Sequence, residues 1–178
     1  MGALIVFESM FGNTRQIADA VTEGLSRHLP VEQVEVGAAP VGIGPDVELL
    51  VVGGPTHAFG MTRPRTRQSA AQQAEDGLVS RGMGIREWLG RLPAGSLAVA
   101  VAAFDTRITR PRLPGSAAAA AEKRLQRLGF RVLGRSQSFF VEGTTGPLAR
   151  GERERARRWG EELAMGLAAA RLPSRQVS

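Results

Sequence analysis

A parallel α/β sheet, doubly wound and covered on both faces by helices, is the fold this sequence predicts. Three observations carry it. Residues 3–7, 47–52 and 97–104 are short apolar runs with β-branched residues, as in strands buried on both faces. Between them, apolar residues recur every three or four positions, the pattern of amphipathic helices. Each strong strand also ends in a short polar turn, so strands and helices alternate as in βαβ units.

The elements follow in order. After the first strand, Ile17, Val21, Leu25 and Leu29 form the stripe of a first helix. Residues 31–36 alternate weakly and predict a short edge strand. Residues 37–45 hold three Gly and two Pro, which marks a loop. The strand 47–52 ends at Gly53-Gly54-Pro55-Thr56-His57-Ala58-Phe59-Gly60-Met61, read as a loop. Residues 62–83 are polar and long for a connection, which predicts a lid or partner-docking loop. Ile85, Trp88, Leu89 and Leu92 are spaced for a short helix. The strand 97–104 opens into Asp105-Thr106-Arg107 and a Pro-rich turn. Residues 115–128 predict a helix with Ala118, Ala121, Leu125 and Leu128 on one face. Strand character returns at 130–133 and again at 139–141. The last helix starts near Glu152, with Ala156, Trp159, Leu163 and Leu167 turned inward. Trp88 and Trp159 read as core residues. One domain over 1–172 and a frayed tail over 173–178 are expected.

Composition narrows the chemistry. At 178 residues and 43% hydrophobic, the chain can build a full core. It has no cysteine, which excludes disulfides, thiolate metal sites and a Cys nucleophile. No apolar run approaches the ~18 residues of a membrane span, and no signal peptide precedes the first strand, so a cytoplasmic protein is expected. The net charge is +6, carried by 23 basic residues of which only Lys123 is not arginine. His28 and His57 lack metal-ligand spacing, so no metal is expected. There is no G-x-S-x-G elbow and no G-x-x-x-x-G-K-[ST] loop. A phosphoacceptor site needs an Asp where this chain has Val52-Gly53. Basic residues without interleaved aromatics do not predict nucleic-acid binding. The Arg153, Arg155, Arg157, Arg158 run alternates with glutamates and reads as a solvated helix face. No residue presents itself as an acid, base or nucleophile.

The most informative stretch is Ser9-Met10-Phe11-Gly12-Asn13-Thr14, between the first strand and the first helix. Ser9, Asn13 and Thr14 supply polar side chains, and Gly12 allows a tight backbone path. Amides at a helix N-terminus, with the positive end of its dipole, make a site for an anion such as phosphate. The same pattern also fits a plain capped turn, with Asn13 or Thr14 as N-cap.

This stretch resembles the phosphate loop of flavodoxins, a Ser/Thr-x-x-Gly-Asn-Thr turn that wraps the phosphate of FMN. The Ser-Met-aromatic-Gly variant is similar to flavodoxin-like quinone reductases. The resemblance implies a flavodoxin-like five-stranded sheet of order 2-1-3-4-5, with FMN across three loops at the carboxyl ends of the strands. Ser9 to Thr14 would hold the phosphate. In the second loop, Pro55 and Thr56 would meet the cofactor, His57 or Phe59 would cover the ring, and Gly60 would offer backbone groups. In the third loop, Phe104 would lie near the ring or in the core, and Asp105 would bind the cofactor or cap a turn, with Arg107 beside it. The chain has no tyrosine, so the Tyr that stacks on the flavin in many flavodoxins has no counterpart.

The function so implied is electron transfer by an FMN-binding redox protein, with a redox partner protein or a small acceptor. An NAD(P)H-dependent reductase of quinone-type acceptors, or a flavin-free binding module, are the alternatives. Arg63, Arg65 and Arg67 after the second loop, and Arg107, Arg110 and Arg112 after the third, predict a basic rim. Such a rim favours negative charge on a reduced flavin and two-electron chemistry.

Overall fold

The computed structural model describes residues 1–57, 59–72, 78–111 and 114–171. Strand β1 (Gly2–Phe7) lies at the centre of the sheet, between the edge strand β2 (Val31–Glu35) and β3 (Val47–His57), parallel to both. Next to β3 runs β5 (Ala100–Ile108), and beyond it a final line made of β6 (Arg131–Val132) and β7 (Gln137–Val141). All these pairings are parallel. The order β2-β1-β3-β5-β6, with β7 continuing the β6 line, is the predicted 2-1-3-4-5 arrangement with its fifth strand split.

The period-two alternation of strands sorts side chains to the two faces. Ala3, Ile5 and Phe7 face helices α1 (Asn13–Leu25) and α5 (Glu152–Arg171), meeting Ile17, Val21, Ala156, Trp159 and Leu163. Leu4 and Val6 face the other layer, α3 (Ile85–Arg91) and α4 (Ala117–Arg127), where Trp88, Leu89, Ala121 and Leu125 are buried. Each fully buried large apolar side chain contributes roughly 1.5–3 kcal/mol. Both tryptophans are core residues as expected. The Trp88 indole N–H donates to the Pro40 carbonyl at 2.8 Å and so fixes the 37–45 loop to the domain.

Three elements differ from the sequence reading. The stretch read as a loop after residue 52 is instead paired: β3 continues to His57 and runs antiparallel to β4 (Gly60–Met61). The third strong strand lies further along than 97–104. Leu97 is 71% exposed, and β5 runs on through Asp105, Thr106 and Arg107 because β7 gives them a parallel partner, from Phe104↔Gln137 to Ile108↔Val141. The polar connection 62–83 contains a helix, α2 (Pro64–Ala71). Pro64 occupies its first turn, where a missing N–H costs nothing, and the Arg63 amide donates to Thr66 Oγ1 at 2.9 Å. The tail after Arg171 and residue Arg112 lie outside the described residues, so the expected fraying and the sixth rim arginine are not described.

The α5 arginines are less uniformly solvated than predicted. Arg153 and Arg158 are exposed, but the Arg155 guanidinium lies 4.3 Å from the centre of the Phe139 ring and pairs with Glu152 at 2.6 Å.

Candidate functional site

At the carboxyl edge of the sheet lies a cavity of about 300 Å³. The first loop gives it Met10, Phe11, Asn13 and Thr14, and the β3–β4 hairpin gives Pro55, Thr56, His57 and Phe59. Strand β5 contributes Thr106, Arg107 and Ile108. The end of β7 and the turn after it add Val141 and Thr144, and α2 forms a further wall with Thr66, Ser69 and Ala70. No carboxylate is among these residues. His57 and Arg107 are the titratable side chains among them.

The first loop is built to leave amides open. Gly12, at φ +88°, takes a left-handed conformation that only glycine adopts without strain, and ends the extended chain abruptly at α1. No side chain of Gly12 caps the helix, and its first turn holds no acid. Ser9 Oγ accepts the Arg15 amide at 3.2 Å. Among the described residues, no hydrogen bond takes the N–H groups of Phe11, Gly12, Asn13 or Thr14. The Asn13 side-chain amide donates to the Thr145 carbonyl at 2.9 Å, and the Thr14 hydroxyl meets the Thr106 hydroxyl at 2.7 Å. Asn13 and Thr14 therefore brace the loop and do not cap the helix. Four unused donors at the positive end of a helix dipole suit an anion.

Ser9 does not line the cavity. It is fully buried, and residues 79–80 are clamped on it from behind. The Ser80 amide donates to the Ser9 carbonyl at 2.8 Å, the Ser9 amide to Ser80 Oγ at 2.9 Å, and the Val79 amide to the Met10 carbonyl at 3.1 Å.

A second anchor lies at Glu8, also fully buried. It accepts the Thr62 hydroxyl and, at 2.9 Å, the Ile85 amide. Arg67 donates to Thr62 Oγ1 at 3.1 Å and pairs with Glu87 at 3.1 Å. Burial pushes the Glu8 carboxyl above its ordinary pKa, and the Thr62, Ile85 and Arg67 interactions only partly offset this. Arg67 thus belongs to the scaffold of α2 and not to the predicted rim, whereas Arg63 and Arg65 are exposed.

The third predicted loop is closed. Phe104 is buried, edge-to-face with Phe139 and Trp159 at 6.1 and 6.0 Å, so it is the core residue of the two roles open to it. Asp105 is fully buried and outside the cavity lining. It accepts Ser116 Oγ at 2.6 Å, Thr56 Oγ1 at 2.9 Å and the Ala118 amide at 3.0 Å, and so caps α4. Thr56 Oγ1 also accepts the Ala117 amide at 2.9 Å, so its hydroxyl is engaged even though the residue borders the cavity. Gly60 lies in β4 and is not among the lining residues, whereas Arg107 is.

Phe59 is 57% exposed at the cavity mouth with φ +75°, an unusual conformation for a bulky residue. It is fixed by Gly115, whose own left-handed backbone lies so close that a Cβ there would collide with the Phe59 carbonyl. His57 is half-buried, and neither ring nitrogen has a hydrogen-bond partner among the described residues. Burial lowers its pKa below the ordinary value, so the imidazole is neutral at pH 7.

The sequence reading missed the α2 wall and the Val141–Thr144 side. Pro64 followed by Ala70 and Ala71 was the available signal for α2, since proline is favoured in a first helical turn.

No protein-family model and no curated protein matches the chain. Solved structures do. An archaeal flavodoxin aligns over 94% of this chain and 99% of its own, at 17% identity and a TM-score of 0.63. Oxidised flavodoxin 1 from Bacillus cereus aligns over 96% and 99%, at 16% identity and a TM-score of 0.65. Rubredoxin oxygen:oxidoreductase from Desulfovibrio gigas matches 94% of this chain with 36% of its own length, at 18% identity and a TM-score of 0.58. The fold is therefore flavodoxin-like, as the first loop implied.

Proposed function

We propose that this protein is an FMN-dependent redox protein that uses the cavity to hold the cofactor. The amides from Phe11 to Thr14, used by none of the described residues and opening into a cavity with no carboxylate among its described lining residues, carry the reading. They would receive the phosphate, with the Thr14 hydroxyl beside it. Phe59, His57 and Pro55 would border the ring, and Thr106, Arg107 and Ile108 would close its other side. Bound FMN supplies one- and two-electron chemistry, which this chain's side chains lack. The residues present fit the group: the loop offers N–H donors, and among the described lining residues no fixed negative charge opposes a phosphate.

A cofactor held there would transfer electrons to a partner protein or a small acceptor. The lack of carboxylates among the described lining residues, together with Arg107, favours the second reading of a reductase for quinone-type or anionic acceptors, with NAD(P)H as donor. Arg63, Arg65 and Arg110 are exposed and add to the positive charge of the chain.

The test is flavin titration of wild type and Thr14→Val. Losing a hydroxyl that bonds a charged group costs roughly 1.5–3 kcal/mol, so FMN affinity should fall about ten- to a hundred-fold. Riboflavin, without a phosphate, should bind both proteins about equally. Absence of FMN binding, or equal FMN affinity in the variant, defeats the phosphate-loop reading.

A further inference from the structure

We infer that His57 is a proton-uptake group of the cavity, taking a proton from solvent onto its imidazole when negative charge arrives beside it on reduction of the bound cofactor. The inference rests on the FMN reading above. It starts from geometry: His57 lines the cavity, is half-buried, and has both ring nitrogens unpartnered among the described residues. A side chain so placed can rotate a donor toward a ligand without giving up an existing bond. The neutral state produced by burial sets the starting point, and an anion at short range reverses that preference.

The surrounding charges have been set by the fold. Arg107 of β5 shares the cavity, and Arg86 of α3 reaches behind the hairpin to the Met61 and Thr62 carbonyls at 2.8 and 3.1 Å. Asp105 of β5 stands one hydrogen bond away, behind the Thr56 hydroxyl. The α2 residues facing the cavity, Thr66, Ser69 and Ala70, are uncharged, as are Asn13 and Thr14 of α1. Arg63 and Arg65 at the start of α2, and Glu142 after β7, are exposed. Among the described residues, no carboxylate on the lining competes with the ligand for an imidazolium. The balance is simple: a reductant delivers two electrons and solvent one proton to the flavin, leaving one net negative charge, and His57 takes a second proton from solvent.

The chain has only two histidines, so the experiment has an internal control. His28, exposed at the opposite end of the domain, reports global effects. The Hε1 proton signals of both are followed by NMR against pH in the ligand-free protein, with oxidised FMN, and after reduction by dithionite. The His57 midpoint should rise by about one pH unit or more between the oxidised and reduced states, a tenfold change in proton affinity, with His28 unmoved. Between the two midpoints, the two-electron potential should fall by about 30 mV per pH unit more steeply than outside them. That extra slope should vanish in His57→Gln. A His57 midpoint equal in the two redox states, with flavin visibly bound, overturns this inference alone. A wild-type protein that binds no flavin overturns both this inference and the FMN reading. Because the NMR arm uses wild type, a poorly folded variant does not leave the question open.

Discussion

Two strand-to-helix junctions at the same edge of the sheet are built from similar residues and end in opposite states. Between β1 and α1, a left-handed Gly12 opens the helix, no acid sits in its first turn, and no described residue uses the amides from Phe11 to Thr14. Between β5 and α4, Ser116 caps the helix with a 3.0 Å bond from the Ala119 amide, while Asp105 gathers Ser116, Thr56 and the Ala118 amide. One helix terminus is saturated by its own chain and the other is left for something else. Anion affinity lies in the donors a junction leaves unmet, and composition alone does not reveal which those are.

The strongest way to break the comparison is to open the closed junction. Asp105→Ala strands the Ala118 amide and two hydroxyls in a buried site, and should destabilise the domain by about 2–4 kcal/mol in urea unfolding. FMN affinity of the folded protein should stay within a few-fold of wild type. A large loss of FMN affinity with little loss of stability would make this junction a binding element after all.

Next in size is the clamp behind the open junction. Ser80 is not among the lining residues, yet its hydroxyl accepts the Ser9 amide inside the protein. Ser80→Ala should cost roughly 1–3 kcal/mol of stability by leaving that N–H unmet. If the clamp positions the loop, FMN should weaken more than riboflavin, measured side by side. A loss shared equally by the two flavins would reduce Ser80 to a structural role.

Much of this architecture was legible in the sequence, for reasons that also explain the failures. Long-range pairing of apolar strands announced itself at 3–7 and 47–52, where nearly every side chain is buried and alternation is hidden by burial on both faces. The strand containing Asp105, Thr106 and Arg107 did not, because its polar end is stabilised by β7, more than thirty residues on. Phe104 and Asp105 looked like site residues because they end an apolar run, and their partners Trp159, Phe139 and Ser116 are brought to them only by the fold. Glu8 gave little warning either, since Thr62 and Arg67 sit over fifty residues away in sequence. By contrast, Gly12-Asn13-Thr14 was readable, since everything needed for an open turn is local.

The α2 anchor offers a pH test of intermediate size. Burial raises the Glu8 pKa above its unfolded value, so the folded state holds that proton more tightly. Stability should therefore decline as pH rises from about 4.5 to the folded-state value and level off above it. His57 shifts the other way: its folded pKa is lowered, so the ligand-free protein should lose stability as pH falls below about 6.5. Unfolding curves across this range should show Glu8→Gln flattening the first trend and His57→Gln the second. If Glu8→Gln leaves the profile unchanged, the charge on Glu8 does not burden the α2 anchor.

The smallest expected effect has the most telling sign. Arg15 occupies the third residue of α1, exposed, with a positive charge at the positive end of the helix. For helix stability alone that is the wrong charge, and an acid there is ordinarily favoured by 0.3–1 kcal/mol. Its presence makes sense if the terminus receives an anion. Arg15→Glu should therefore stabilise the ligand-free protein by roughly 0.5–1 kcal/mol while weakening FMN. Two units of charge at about 8 Å in water-like dielectric amount to about 1 kcal/mol, near five-fold in affinity, and added salt should shrink the difference. Riboflavin should not respond. Opposite signs in stability and FMN affinity would mark the β1–α1 junction as one held open for its ligand. Matching signs would mean that Arg15 answers to something other than the anion, and the contrast between the two junctions would lose its electrostatic half.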